Sequence, residues 1–462
     1  MSEEVKKYDA DQTALKSGAI SKVEVTIMSI CAAAPAMCMV AGSGAMAATG
    51  QGAGVSLSAL IATIAVVLIG LSYGKLSEKY NRCGGTWSYI QQSIGQRAGV
   101  WTAFVYFAVL ITTSGCPAAI FGMYLQVLVP AIPLWVGWLI CIVIVVALTW
   151  RGIELSTRAL IVIWVVQMAL LIWPAIAVIG YTPDGFAMGT SMTNAFMPSI
   201  GVGLGAIGAA ACVWIWSFVG FECPAYMGEE LKGGSKAVKF AIPISGLAVG
   251  LIYVISMWLF TATMPAEYFT DFAVNGGDFM LDYVSAVGYT AGVNLLAGAA
   301  VVSCLACSLA FHSLMPRFLF DLSREGIMPK GLSKVNKFQI PHNALFTYII
   351  IGALASAYSF WGYGAEGSIF GGIDDWFAIM GITASMAYGF ICIANIKDGW
   401  KDWSAGAVIM RKIVPLATVV LLAWIIFGNL FIDGSLTKFF WFVVIWVVLA
   451  FIFMAVKGGK KA

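Results

Sequence analysis

The chain has 462 residues, of which 60% are hydrophobic and only 11% charged, where soluble globular proteins carry roughly 25% charged residues. With 28 Phe, 17 Trp and 20 Met as well, a water-soluble monomer is excluded and much of the surface requires lipid as its solvent. The formal net charge is +3, and the bases are scattered in small groups without forming a patch, so nothing here attracts nucleic acid.

Residues 1–22 are polar and contain no apolar stretch ahead of a small-residue cleavage site. They are expected to form a retained cytoplasmic tail and not a signal peptide. A spanning helix needs about 20 apolar residues, and about twelve candidates follow in order. The first five run Val23 to Ala48, Leu57 to Leu76, Val100 to Val129, Leu134 to Trp150 and Ala159 to Tyr181. The next five run Val202 to Tyr226, Ala241 to Thr263, Val293 to Phe320, Ala344 to Phe360 and Trp376 to Ile396. Ile413 to Ile432 and Phe439 to Val456 complete the set. All must be helical, because open strands would leave backbone groups unpaired in lipid. The expected fold is an all-α membrane protein of about twelve transmembrane helices.

With the N-terminus inside, the loop bases fall on the cytoplasmic side: Lys75, Lys79, Arg82 and Arg97; Arg151 and Arg158; Lys232, Lys236 and Lys239. The same holds for Arg317, Arg324, Lys330, Lys334 and Lys337, and for Lys397, Lys401, Arg411 and Lys412. Of the 26 bases only Lys438 lands outside. That bias predicts a multi-pass protein of the cytoplasmic (inner) membrane with both termini, including the tail 457–462, in the cytoplasm. Asp184, Glu267, Asp271, Asp278, Asp282, Glu366, Asp374, Asp375 and Asp433 all fall outside. Exclusion of bases from the exterior accounts for most of this asymmetry, although an acidic mouth would also concentrate cationic substrates. Most of the ten Cys, including Cys31, Cys38, Cys304 and Cys307, lie inside apolar runs and read as small packing residues.

Two spans are interrupted at matching positions. Span one reads SICAAAPAMCMVAGSGAMAATG, where Pro35 removes a helical N–H among small residues. Span six reads VWIWSFVGFECPAYMGEELKGG, with Gly220 and Pro224 four residues apart. Such a matched pair points to a five-plus-five inverted repeat, with residues 23–181 and 202–396 as the halves and 413–456 outside them. Unwound helix frees carbonyls and N–H groups near the midplane, which a polar or charged small molecule can satisfy. The residues around the first break, Ala33, Ala34, Pro35, Ala36 and Met37, are therefore candidate substrate contacts.

Glu222 is the one acid left in an apolar span. It stands about eight residues, roughly 12 Å, beyond the middle of span six. A charge at that depth costs about 2.5 to 3.5 kcal/mol, which makes it a functional candidate, either as a proton exchanger or as a Glu bonded to a neighbouring Tyr.

WSFVGFECPAYMGEELK at Trp216 to Lys232, SYGKLSEKYNRCGGTWSYIQQSIG at Ser72 to Gly95 and PRFLFDLSREGIMPKGLSKVNKFQIPHNAL at Pro316 to Leu345 resemble signatures of the amino acid/polyamine/organocation permease superfamily. The resemblance implies a leucine-transporter-type fold with alternating access around a central site formed by spans one, three, six, eight and ten. Carried over by position, it makes Trp216 an aromatic lid, with Ser217, Phe218 and Val219 as the unwound strip of span six. It makes Glu222 the membrane carboxylate, Tyr106 and Tyr388 its partners in an inner gate, Ser114 a polar substrate contact and Phe311 a stacking aromatic. Two departures stand out. Where many relatives carry GSG at the first break to grip a carboxylate, this chain has Ala34, Pro35 and Ala36, and its own GSG at Gly42 to Gly44 lies about eight residues further along. Where proton-coupled relatives carry a Lys in span five, it has the neutral Gln167. With the acidic exterior and Glu222, the lost GSG tilts the expectation toward an amine or cationic amino acid.

Other patterns carry less. GLGAIG at Gly203 to Gly208 matches a dinucleotide motif but begins a membrane helix, where close packing is the better reading. Cys304 and Cys307 form a CxxC with His312 nearby, too few ligands for a metal site. No protease, ATPase or potassium-filter motif is present, so neither enzyme nor cofactor is expected. The expected activity is secondary-active permeation of an amino acid or small organic amine, proton-coupled through Glu222. An uncoupled amine/amino acid exchanger, a substrate sensor on the same scaffold and a channel are the alternatives.

Overall fold

The computed structural model describes residues 14–48, 54–80, 82–182, 196–197, 203–275, 277–366, 371–428, 430 and 437–459. The expected acids Asp184 and Asp433, and the tail residues 1–13 and 460–462, lie outside this set. The described residues are helical almost throughout, with one isolated β-bridge between Ile20 and Leu231. Among the described residues ten helices are long and apolar enough to cross a membrane, and two shorter apolar helices, Leu134–Trp150 and Leu204–Phe218, fall at the fourth and sixth expected spans.

Span one is two helices, Lys22–Ala32 and Pro35–Ala48. It starts at a capping box in which Ser21 N donates to Glu24 Oε2 (2.7 Å) and Glu24 N to Ser21 Oγ (3.3 Å). Span two is Val55–Ser77, span three Gln96–Leu128, span four Leu134–Trp150 and span five Ile153–Ala177. Span six is Leu204–Phe218 followed by the short turn Cys223–Tyr226, and span seven is Gly234–Thr261. Spans eight, nine and ten are Thr290–Arg324, His342–Glu366 and Gly371–Asp398. Spans eleven and twelve cover Ala405–Phe427 and Thr437–Lys457.

Several helices overrun their apolar runs, because a helix continues past the hydrocarbon wherever its polar residues find partners. Span eight has 35 residues, about 52 Å at 1.5 Å each, and carries Arg317, Asp321 and Arg324 beyond the expected limit at Phe320 or close to it. Span eleven begins before Ile413 because a π-helical turn, Ile409–Ile413, holds Arg411 and Lys412. Spans two and seven approach closely at small residues: a Cβ on Gly70 would lie 3.0 Å from Pro243 Cα, and one on Gly74 3.3 Å from Lys239 O.

The base-bearing loops meet at one end of the bundle. Lys79 and Arg411 pair with Asp398 (2.6 and 2.8 Å), Lys239 with Glu78 (2.5 Å), Arg82 with Glu325 (2.5 Å) and Arg324 with Glu229 (2.6 Å). The helix Gly85–Ser93 lies between spans two and three at this basic end.

At the opposite end two helices, Ala266–Asn275 and Phe279–Ala286, connect spans seven and eight and set Phe272 and Phe279 against Gly44 of span one. Asp278 caps the second of them through Leu281 N (3.2 Å), accepts a hydrogen bond from the Tyr124 hydroxyl of span three (2.5 Å) and faces Asp282. Burial pushes its carboxyl up to about 6, against the hydrogen bond from Tyr124. A carboxyl raised in the folded state holds its proton more tightly there than in the unfolded chain. Its contribution is full below the ordinary Asp value of ~3.9 and is lost as pH rises through about 6. Asp278→Asn is therefore expected to flatten the fall in melting temperature of the purified protein between about pH 4 and 7. Equal slopes in variant and wild type would show that Asp278 does not carry it.

Candidate functional site

The first half of span one ends at Ala33, and Ala34 takes φ +47°, a strained value for a residue with a Cβ. Pro35 is then the first helical residue, a position where the missing N–H costs nothing because first-turn N–H groups have no intrahelical partner. In span six the helix stops at Phe218, the chain extends at Val219, and Gly220 reverses it at φ +110°. A Cβ at Gly220 would press on Ala32 and lie 3.2 Å from Phe311 Cζ, so glycine lets the two breaks meet.

One residue that sequence reasoning did not single out holds them together. The hydroxyl of Tyr253, buried in span seven, lies 2.7 Å from Ala33 O and 2.7 Å from Ser217 O, the freed carbonyls of both breaks. Thiols serve the carbonyls of the first break: Cys307 Sγ donates to Ala32 O (3.2 Å) and Cys38 Sγ to Ala33 O (3.4 Å). The cysteines near the break are thus donors as well as packing residues.

Between the breaks lies a small cavity of about 20 Å³, the room of a single water, so a larger molecule enters only when its walls part. Of the expected contacts, Ala33, Met37, Trp216, Ser217, Val219 and Phe311 line it. Ala34, Pro35, Ala36 and Phe218 are buried but do not line it, and Phe218 packs edge-on against Tyr253. Ser114 turns to span nine, its Oγ bonded to Ile111 O (2.7 Å) and its backbone against Gly352. Its neighbour Thr113 lines the cavity instead, its hydroxyl donating to Val109 O (2.7 Å) and accepting from Tyr348 (3.0 Å). Ala32, Cys38, Pro117, Cys307, Phe377 and Met380 complete the lining. Trp216 stacks on Phe377 of span ten, with centroids 4.3 Å apart and planes at 16°.

Glu222 lies off the cavity in an aromatic layer and is 1% exposed. The Tyr106 and Tyr388 hydroxyls both bond Oε1, the latter at 3.0 Å, and Gly220 N donates to Oε2 at 3.0 Å. Hydroxyls donate or accept, so this shell satisfies either protonation state of the carboxyl. The layer continues through Tyr226, Thr86 and Tyr73, with Tyr226 Oη to Thr86 Oγ1 at 3.0 Å and Thr86 Oγ1 to Tyr73 Oη at 2.6 Å. Gln167 directs Nε2 at Cys31 Sγ (3.8 Å) between spans five and one.

Beyond this layer Arg317 of span eight pairs with Glu230, both 1% exposed at the side chain, and also bonds Ser313 O. Burial opposes the charge of neighbouring Glu229, yet Arg324 beside it holds its carboxyl below the usual range. The remaining motifs disperse. Cys304 and Cys307 are free thiols, and His312 bonds Ser308 O (2.7 Å) with its ring against Tyr348. Gly208 of GLGAIG packs on Trp424, with a Cβ there 3.3 Å from Trp424 O.

The profile of the amino acid permease family matches residues 20–453. The chain is 25% identical over 303 residues to the low-affinity putrescine importer PlaP of Escherichia coli (strain K12), covering 64% of each chain. It is 25% identical over 338 residues to the gamma-aminobutyric acid permease of the same strain, covering 71% of this chain and 70% of that one. To the branched-chain amino acid permease BcaP of Bacillus subtilis (strain 168) it is 27% identical over 344 residues, 68% of this chain and 70% of that one. The family match over most of the chain agrees with a bundle of many apolar helices, and this multi-pass membrane chain belongs to the amino acid permease family.

Proposed function

We propose that the chain is a secondary-active permease that moves an amino acid or small organic amine across the cytoplasmic membrane by alternating access. Both termini are cytoplasmic in this reading, as the basic loops require, and the halves 23–181 and 202–396 act as inverted repeats. The observation that carries it is the meeting of the two breaks: Tyr253 ties Ala33 O to Ser217 O beside a cavity under the Trp216 and Phe377 rings. Substrate binds between the broken ends, and the Tyr106, Glu222 and Tyr388 layer separates it from the basic end. Glu222 exchanges a proton when that layer opens, with Gln167 unable to do so in span five.

Counterflow into proteoliposomes tests the reading. Uptake of a labelled substrate should saturate and accelerate when unlabelled substrate is loaded inside, which neither a channel nor a sensor does. Trp216→Leu should lower that uptake about tenfold with near-normal expression, because stacking on an ammonium contributes about 0.5 to 2 kcal/mol. Unchanged kinetics in Trp216→Leu would remove Trp216 from the site.

A further inference from the structure

Among the described residues, the cavity lining contains no Asp, Glu, Lys, Arg or His. Glu222 does not compensate, since it is off the lining and its oxygens already face Tyr106, Tyr388 and Gly220 N. Thr113 and Cys307 are already engaged, the first with Val109 O and the Tyr348 hydroxyl and the second with Ala32 O, so the polar groups that remain belong to the broken ends. Ala33 O and Ser217 O share the single proton of the Tyr253 hydroxyl, and Ala33 O also takes the Cys38 thiol, which leaves acceptor capacity, chiefly at Ser217 O, for one ammonium. Ser217 Oγ, 1% exposed, lines the cavity with no hydrogen-bond partner. Cys38 N is already bonded to Ala34 O (2.9 Å), so Met37 brings the open first turn of Pro35–Ala48 to the cavity wall, and that end of a helix favours a carboxylate. The rest is aromatic or soft and polarisable: Trp216, Phe311, Phe377, Met37 and Met380.

From this lining we infer that the substrate is an amino acid with one ammonium, one carboxylate and an apolar side chain, aliphatic or thioether, and that diamines and cationic amino acids are rejected. The inference rests on the permease reading above and narrows it. A second ammonium would be stripped of water in this cavity without a counter-charge, the most costly arrangement a buried cation can meet. A thioether or branched aliphatic chain loses nothing polar there and gains contact with methionine and aromatic side chains. This departs from the tilt toward an amine or cationic amino acid, because none of Glu222, Glu267, Asp271, Asp278, Asp282 and Asp375 lines the cavity.

The test uses the full-length purified protein with leucine, methionine, lysine and putrescine at matched concentrations. Melting temperature is measured first, then counterflow of labelled leucine and labelled putrescine in parallel. Leucine or methionine should raise the melting temperature and inhibit leucine counterflow at concentrations at least tenfold lower than lysine or putrescine require. Met380→Asp, which places a carboxylate on the lining, should shift the lysine-to-leucine preference at least tenfold toward lysine; if it does not fold, the wild-type panel decides. Putrescine or lysine carried as well as leucine would overturn the inference and leave the permease reading standing. Counterflow of neither label, with no shift from any ligand, would overturn both.

Discussion

Glu222→Gln is expected to leave the protein folded, lower net uptake about tenfold and flatten its pH profile, while exchange of external for internal substrate persists. A tenfold loss corresponds to about 1.4 kcal/mol of barrier. The fold should tolerate the change because the amide oxygen can accept from Gly220 N and the amide nitrogen can donate to the Tyr106 and Tyr388 hydroxyls. What the amide cannot do is release and recapture a proton. If net uptake depends on that step at Glu222, its pH dependence disappears with the carboxyl, whereas exchange needs no net proton movement. Identical pH profiles for net uptake in variant and wild type would reduce Glu222 to a structural hydrogen-bond acceptor.

Arg317→Met should produce the largest loss of stability. Arg317 and Glu230 are buried from water and bonded through two guanidinium nitrogens, with a third on Ser313 O. Removing one partner of such a pair strands the other charge and costs about 3–5 kcal/mol, whereas replacing both with neutral side chains is often close to neutral. A sharp drop in melting temperature and in the monodisperse fraction is therefore expected for Arg317→Met, with most of it recovered in the double variant Glu230→Gln, Arg317→Met. If the single variant were as stable as wild type, Glu230 would have to be neutral or solvated in the folded protein.

The spans were legible in the sequence because lipid enforces them: about 20 apolar residues must be helical where no water can satisfy the backbone. The breaks at Pro35 and Gly220 were legible for the related reason that a residue without an N–H, or one that alone tolerates φ +110°, interrupts a long apolar run visibly. Glu222 stood out because a carboxylate in such a run has no cheap explanation, and the family motifs supplied Trp216 and Tyr106. The facing of side chains was not legible. In a soluble helix the polar face marks the outside, but a membrane helix is apolar toward lipid and toward its neighbours alike, so the helical period that would separate Thr113 from Ser114 is erased. Only packing set Thr113 on the cavity and Ser114 against Gly352. Tyr253, Phe377, the Glu230–Arg317 pair and the Tyr124–Asp278 bond join residues far apart in the chain. The sequence by itself determined a helical membrane bundle, the places where two helices break and the one acid beside the second break. Tertiary structure decided that the breaks meet under one tyrosine hydroxyl and that, among the described residues, no charge lines the cavity between them, because those are properties of contacts between helices that the local pattern does not encode.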